Sequence, residues 1–339
     1  MTSEASRVEG RATVRVIAAE TGVSIATVSR VLNNHVSVAP RTRELVLQAV
    51  ARRSSARAVP RAATTAVYVR CPYVLTDYFG TIVSSVAATL ARRGVNLVLN
   101  AGEELQSERV LSALPDRDDI GAAILILPPE SASELVALRR RGFPFVVLDP
   151  RTALPRDVPA VSAAHFSGAR AVTTHLVELG HRRIGVIGGP QDWLASDGRL
   201  AGHRAVMSAV GLLPDRAILR DVPATVEAGY AAACELLDLP DRPTALVGFN
   251  DKVAVGVLRA AHERGLRVPE DLSVTGFDDI ELSQATQPQL TTVRQPLTEM
   301  GRMAVTMLMR ILEHDDVDSL QVELGTELVV RGSTGPVPA

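Results

Sequence analysis

The chain is poor in lysine, cysteine and aromatic residues. Lys252 is its single lysine, so nearly all of the 36 basic residues are arginine. The two cysteines, Cys71 and Cys234, allow no disulfide framework and have no metal-ligand spacing. Both sit in apolar runs and read as buried free thiols. Aromatic residues make up 3% of the chain, and Trp193 is the one tryptophan. No stretch of eighteen apolar residues occurs, which excludes a hydrophobic membrane-spanning helix. The opening "MTSEASRVEGRATVRV" has early acids and no apolar core, so it is not read as a signal peptide, and a cytoplasmic protein is expected. Metal and catalytic patterns are missing too. His175 and His181 are six residues apart and are expected on different sides of a helix. "GVIGGP" (185–190) fails the G-x-G-x-x-G spacing of a dinucleotide loop. With no nucleophile–base pair in a supporting motif, no enzyme activity, cofactor or metal is expected.

What is present is a soluble globular composition with an uneven charge. The 339 residues are 46% hydrophobic and 22% charged, with a net charge of −2. Residues 1–61 hold ten arginines against four acids (Glu4, Glu9, Glu20, Glu44), while the remaining residues hold 26 basic groups against 34 acidic ones. A basic head on an acidic body is the electrostatic footprint of a phosphate-contacting module joined to another domain. A basic solvated tail would leave the same footprint.

The head has a helical pattern. "RVIAAE" (15–20) reads as a short helix, Gly22 permits a turn, and Ser24 is an N-cap for a second helix to about Leu32. Ile25, Val28 and Leu32 recur at i, i+3, i+7, with Ser24, Thr27, Ser29 and Arg30 polar. Short hydroxyls with an arginine suit a phosphate backbone and a base edge, and a packed helical hairpin fits the same pattern. "APRTRELVLQAVARR" (39–53) reads as a third helix with Leu45, Val46 and Ala49 as its apolar face. A small, basic linker covers 54–65. Beyond it, short β-rich runs alternate with helical stretches. Strands are expected at 66–70, 95–99, 122–127, 145–149, 183–188, 244–249 and 272–277. Helices are expected at 79–94, 131–142, 166–180, 197–211, 225–238, 250–265 and 297–313. Near-continuous apolar strands between helices predict an α/β core of two doubly wound parallel sheets, with a ligand crevice at the strands' carboxyl ends.

Seven segments carry a family resemblance. "TGVSIATVSRVLNN", "VAPRTRELV", "HLVELGHRRIGVIGGP", "RLAGHRAVM", "PTALVGFNDKVAVGVLRAAHERGLRVPEDLSVTGFDDIEL", "QPQLTTVRQPLTEMGRMAV" and "ELVVRGST" resemble, in register from about Thr13 to Thr334, the LacI/GalR family of bacterial transcription regulators. The resemblance implies a helix-turn-helix head (1–53), a hinge or linker (54–65) and a two-lobed core (66–339) like that of periplasmic sugar-binding proteins. Lobe one would comprise about 66–160 and 291–316, and lobe two about 161–289 and 318–331. It also implies a regulator, most often a repressor, acting as a homodimer on pseudo-palindromic double-stranded operator DNA. An effector between the lobes would set operator affinity. The ending "RGSTGPVPA" lacks the leucine-rich helix of the family's tetramers. A solute-binding protein without DNA function is the competing reading, and the basic head and lack of a signal segment count against it.

By the same resemblance, Ile25, Ala26 and Arg30 would face the major groove, while Ser24, Thr27, Ser29 and Asn33 would hold phosphates. Thr13 would cap the first helix. The family's acid three residues on is Val16 here, so that cap should be weaker by about 0.5–1 kcal/mol. The linker is shorter than the family's and lacks its tyrosine-proline-asparagine stretch. "ARAVPR" (56–61) would stand for the hinge helix, with Arg57 at the DNA and Val59 at the minor-groove wedge, or would form only a tether. In the core, Asp77, Tyr78 and Phe79 correspond to an effector-contacting motif, with core packing as the alternative for the two aromatics. Asp149, Arg199, Asn250 and Asp278 would ring the effector, a sugar or sugar-derived metabolite. His165 replaces a commonly polar contact, Trp193 covers the ligand or simply packs, and Asp251 would cap the following helix.

Overall fold

The computed structural model describes residues 18–19, 21–32, 38–39, 41–46, 66–212, 215–314 and 319–338. The chain divides into two compact units, Met1–Thr64 and Thr65–Ala339.

In the first unit, helix α1 spans Ile25–Leu32. Ser24 caps it: the Thr27 backbone N–H donates to Ser24 Oγ at 3.2 Å, satisfying one of the amides a helix start leaves open. Val28 and Val31 pack with Ala18 and Val46 into a small core. Two expectations change here. Ile25 is 51% exposed and Leu45 41% exposed, so neither belongs to that core.

The second unit holds two parallel sheets. The first contains β1 (Ala66–Cys71), β2 (Leu97–Ala101), β3 (Ile120–Ile126), β4 (Phe145–Leu148), β5 (Ala160–Ala163) and β11 (Gln321–Leu324), in the order β11-β5-β4-β3-β1-β2. Its registers include Val69↔Leu99, Val69↔Ile124, Ile124↔Val146, Leu148↔Val161 and Val161↔Val322. Successive side chains of a strand point to opposite faces, and here both faces are covered. Val67, Val69, Ile124, Val146 and Leu148 meet α2 (Asp77–Arg92) and α9 (Leu297–Glu313). Tyr68, Ala123, Leu125, Phe145 and Val147 meet Leu135 and Leu138 of α3 (Ala132–Arg140). This two-sided burial is why these strands are continuous apolar runs rather than alternating ones.

The second sheet is β7 (Leu219–Asp221), β6 (Ile184–Gly188), β8 (Ala245–Gly248) and β9 (Ser273–Thr275), in that order. The helix α4 (His165–Glu178) precedes β6, α5 (Leu194–Ala209), α6 (Val226–Leu237) and α7 (Asp251–Glu263) connect successive strands, and the short α8 (Glu281–Ala285) follows β9. Gly202 of α5 lets that helix approach α4 closely, since a Cβ there would lie 2.3 Å from Phe166 O.

The lobe boundaries differ from expectation. Ala160–Ala163 and Gln321–Leu324 pair with each other and belong to the first sheet. Thr292–Arg294 (β10) instead extends the second sheet, through the parallel bridges Thr275↔Thr291 and Asp278↔Arg294. It then pairs antiparallel with β12 (Glu327–Val329). The chain therefore changes lobes between β5 and α4, between β10 and α9, and between β11 and β12. Strands β5, β7, β10, β11 and β12 were not anticipated. They are three or four residues long, too short to show a period, and their backbone groups are satisfied by partners far away in sequence. His181, expected on a helix, follows the end of α4; it is buried and hydrogen-bonded to Thr244, Ser273 and the Gly335 carbonyl. Among the described residues, no helix is long and apolar enough to cross a membrane, and no group of three or more His, Cys, Asp or Glu residues is placed to hold a metal.

Candidate functional site

Strand ends from both lobes face a cavity of about 590 Å³, within the range of small-molecule sites. Asp149 follows β4 in the left-handed backbone region (φ 52°), held by its N–H donating to Val161 O at 2.8 Å. Its carboxylate is shared between lobes. Tyr78, in the first turn of α2, donates its hydroxyl to Oδ2 at 2.8 Å, and His165 Nε2, at the start of α4, donates to Oδ1 at 2.8 Å. Burial alone would raise the Asp149 carboxyl. The charge and hydrogen bond of His165, the Tyr78 hydroxyl and Arg199 outweigh it and hold the group below its ordinary value. Burial and the neighbouring Asp149 charge push the Tyr78 phenol well up, so it remains a donor.

Arg199, on α5, is buried and packs over two aromatic rings. Its guanidinium carbon lies 4.3 Å from the Phe249 ring centroid and 3.8 Å from that of Phe277. Nη1 donates to Phe249 O at 2.6 Å, and Nη2 lies 3.6 Å from Asp278 Oδ1. Two ring contacts together with the bonds to Phe249 O and Asp278 restrict the guanidinium, whose planar fork an ammonium does not reproduce. Asp278 has φ 117°, a conformation unusual outside glycine, maintained by its N–H bond to Val293 O and by Gln295 Nε2 donating to Oδ1 at 2.6 Å. Burial raises its carboxyl to about 6 against the pull of Arg199, Gln295 and His165.

An aromatic wall closes one side. Tyr73 stacks on Phe79 (centroids 4.3 Å apart, 3° between planes), and Tyr78 meets Phe79 edge-on. Trp193, at the N-cap of α5, bridges Tyr73 and Phe249 at 5.9 and 6.0 Å. Arg151 lies over both Tyr73 and Trp193. Across the cleft, Lys252 Nζ donates to Thr76 Oγ1 at 3.0 Å.

Of the nine effector residues expected from sequence, Tyr78, Phe79, Asp149, Trp193, Arg199, Asn250 and Asp278 line this cavity, and two do not. Asp77 is exposed on the first turn of α2 and borders a separate depression with Glu281 and Thr298. His165 is buried behind the wall, where it ties Asp149 to Arg199 (Nδ1 is 3.4 Å from Arg199 Nε). It positions those groups and does not face the cavity. The capping role also moves. Asn250, not Asp251, caps α7, accepting the Val253 N–H at 3.0 Å through Oδ1. Asp251 is buried and accepts from Thr292 Oγ1 and the Ile280 N–H.

Sequence reading missed Tyr73, Phe249, Lys252, Glu103 and Glu227 in the lining, and Phe277 behind Arg199. Phe249 and Phe277 each directly precede a residue that was singled out, so the strand-end rule applied one position earlier would have found them. The glycines of "GVIGGP" have a packing reason: a Cβ on Gly189 would lie 2.6 Å from the Phe249 ring.

In the head, α1 leaves Ile25, Ala26 and Arg30 exposed on the side away from Val28 and Val31. Ser24 and Thr27 are engaged in the cap and with each other, Oγ to Oγ1 at 2.9 Å. Ser29 is half-buried on the same helix. Thr13, Asn33, Arg57 and Val59 lie outside the described residues.

Comparison with known proteins is consistent with both parts. Residues 13–53 match the model described as bacterial regulatory proteins, lacI family, and residues 173–334 match a periplasmic binding protein-like domain. The HTH-type transcriptional repressor CytR of Escherichia coli (strain K12) is 33% identical, covering 99% of this chain and 100% of its own length. The chain belongs to the LacI family. As a LacI-family transcription regulator it is also similar to the regulator CelR of Thermobifida fusca, at 32% identity over 95% of this chain and 98% of the relative. Among solved structures, a CelR–cellobiose complex matches with a TM-score of 0.72 and 32% identity over 94% of this chain and 99% of the other. The lac repressor dimer bound to operator and the anti-inducer ONPF matches with a TM-score of 0.72 and 26% identity over 94% and 98%. These relatives are regulators rather than enzymes or solute carriers, and the LacI-family assignment removes the competing reading of a binding protein without a DNA-reading head.

Proposed function

We propose that this LacI-family regulator is a cytoplasmic repressor without enzymatic activity that binds a pseudo-palindromic operator as a homodimer. An uncharged sugar or related polyhydroxyl metabolite held between its lobes controls its operator affinity. The observation that carries the ligand assignment is the restricted guanidinium of Arg199, over Phe249 and Phe277 at the edge of a cavity with an aromatic wall. A planar fork of donors and nearby carboxylates suits paired hydroxyls, and aromatic faces suit the apolar face of a sugar ring. Four carboxylates (Glu103, Asp149, Glu227, Asp278) line the cavity against two cations, Arg199 and Lys252, which disfavours a phosphorylated ligand. Cellobiose in the CelR complex is a neutral ligand of this kind. Tyr78, Phe79, Asp149, Trp193, Arg199, Asn250 and Asp278 contact the ligand in this reading. Because Asp149 and His165 join the two lobes through one carboxylate, a ligand that competes for that carboxylate alters the closure of the cleft and so the conformation that binds DNA.

At the operator, Arg30 reads a base edge, and Ile25 and Ala26 supply apolar contact. Ser24, Thr27, Ser29 and Asn33 orient the head on phosphates, Thr13 contributes to the same DNA-reading module, and Arg57 with Val59 act at the minor groove. The deciding experiment is fluorescence anisotropy on DNA from the region upstream of the protein's own gene, at fixed salt, with neutral sugars and with sugar phosphates. A shift produced by a neutral sugar and removed by Arg199→Ala supports the reading. A shift produced only by phosphorylated sugars overturns the charge argument, and operator discrimination that survives Arg30→Ala overturns the role of Arg30.

A further inference from the structure

Lobe two contains a second cavity, of about 580 Å³, distinct from the cleft between the lobes. It lies among α4, α5 and strands β6, β7 and β8, and is lined on its apolar side by Val172, Val186, Leu200, Val247 and Phe277. Arg199 and Phe249 line both spaces, so they form the partition between this cavity and the cleft.

Its polar groups point to a ligand. Ser196 Oγ is buried and has no hydrogen-bond partner. His203 is buried, and its tautomer follows from its neighbour. Thr173 Oγ1 gives its one proton to Ala169 O at 2.8 Å, so it can only accept at 3.2 Å from His203 Nδ1. Nε2 is then left as an acceptor with no partner among the described residues. Burial, followed by the nearby Arg204 charge, lowers the imidazole to about 4, so it stays neutral.

The charges are segregated by end. Asp197 and Asp221 lie toward the carboxyl ends of the strands, where Asp221 already accepts from Gln191 Nε2. Arg204 is seven residues further along α5 than Asp197, about 10 Å away at the helical rise. It lines the cavity together with Arg216. Arg199 and Arg220 have carboxylate partners in Asp278 and Glu235. Arg204 and Arg216 have none among the described residues.

We propose that this cavity is a second small-molecule site, taking an organic anion with a compact apolar body whose carboxylate or phosphate ester lies toward Arg204 and Arg216. The apolar body fills the space beside Phe277 and the valines, and a polar group on it can reach Ser196 Oγ or His203 Nε2. Such a ligand contacts the far face of the residues that line the cleft. The proposal is independent of DNA binding and of the identity of the cleft ligand.

The test is isothermal titration calorimetry of the full-length protein with benzoate, with phenyl phosphate, and with benzamide as the neutral counterpart of benzoate. One site per chain is expected for an anion, at least tenfold tighter than for benzamide, and whichever of benzoate and phenyl phosphate binds tighter identifies the anionic head. The double variant Arg204→Ala/Arg216→Ala should weaken the anions by tenfold or more and leave benzamide unchanged. Leu200→Trp should fill the cavity and abolish all three; because it can also disturb folding, the surface arginine pair remains the primary test. No saturable binding by either anion overturns the proposal. So does binding that falls with Lys252→Ala and survives the arginine pair, which would locate the anion in the cleft.

Discussion

The Arg199 guanidinium lies over the Phe277 ring, 3.8 Å from carbon to ring centroid, and over the Phe249 ring at 4.3 Å. These contacts restrict the arginine's donors at the cavity edge, where Asp278 and the Phe249 carbonyl complete its environment. Arg199→Lys keeps the charge but loses the ring contacts and the paired donors. The expected outcome is at least a tenfold loss of effector affinity with operator affinity retained, read by titrating the effector into the protein–operator complex. An unaltered effector titration would show that charge alone suffices.

The Tyr78 hydroxyl donates to a charged, buried carboxylate that also binds His165. Tyr78→Phe removes one charge-assisted hydrogen bond and leaves the ring packed on Phe79. A loss of about 1.5 kcal/mol in unfolding free energy is expected, measured by urea denaturation. His165→Ala should weaken effector binding through the same carboxylate without removing a group that lines the cavity. If it leaves effector affinity at the wild-type level, His165 has no positioning role.

Acid stability should have two limbs of opposite sign. Asp278 is raised from 3.8 to about 6 by burial, so the folded chain holds that proton more tightly than the unfolded chain. Its contribution to stability is present at low pH and falls as pH rises from about 4 to about 6. Asp251, raised by burial and by the Asp278 charge, acts in the same direction. Asp149 is depressed, so its contribution is present above the ordinary carboxylate value and is lost as pH falls through the depressed one. Buried His203, lowered to about 4, acts oppositely over the same window, so the measurement is the difference in urea midpoint between Asp278→Asn and wild type, which should grow in favour of the variant as pH rises from about 4 to about 6. A difference that stays constant from about pH 3 to about pH 7 would show that Asp278 makes no such contribution.

Ser24 closes the first turn of α1 through its bond from the Thr27 amide. Ser24→Ala should cost the head about 1 kcal/mol and Ser24→Gly only a few tenths. Operator affinity should follow the same order if capping is the role of Ser24. Equal losses for both variants would instead indicate a direct contact of the hydroxyl with DNA.

Much of this architecture is local and therefore legible in the sequence. Helices at Ala132–Arg140, His165–Glu178 and Asp251–Glu263 lie close to the spans their apolar periodicity predicts, because that period belongs to the segment itself. The Ser24 cap is equally local, involving residues three apart. The charge imbalance between head and core is a property of composition, and the family motifs are contiguous strings.

What only the tertiary structure decided involves partners far apart in the chain. Val161 joins the first sheet through Leu148 and Val322, and β10 joins the second through the bridges Thr275↔Thr291 and Asp278↔Arg294, so lobe membership of these short strands depends on pairing and not on their own residues. Asn250 and Asp251 both suit a cap, but Thr292 and the Ile280 amide draw Asp251 inward and leave the cap to Asn250. His165 stands at the start of a helix, as expected, yet Asp149 on one side and Arg199 on the other hold it behind the cavity wall. Sequence determined which segments are helices, which apolar runs form the core strands and which end of the chain is basic, because each follows from neighbouring residues. Which side chains line the cavity was decided by hydrogen bonds and ring contacts between residues far apart in the chain.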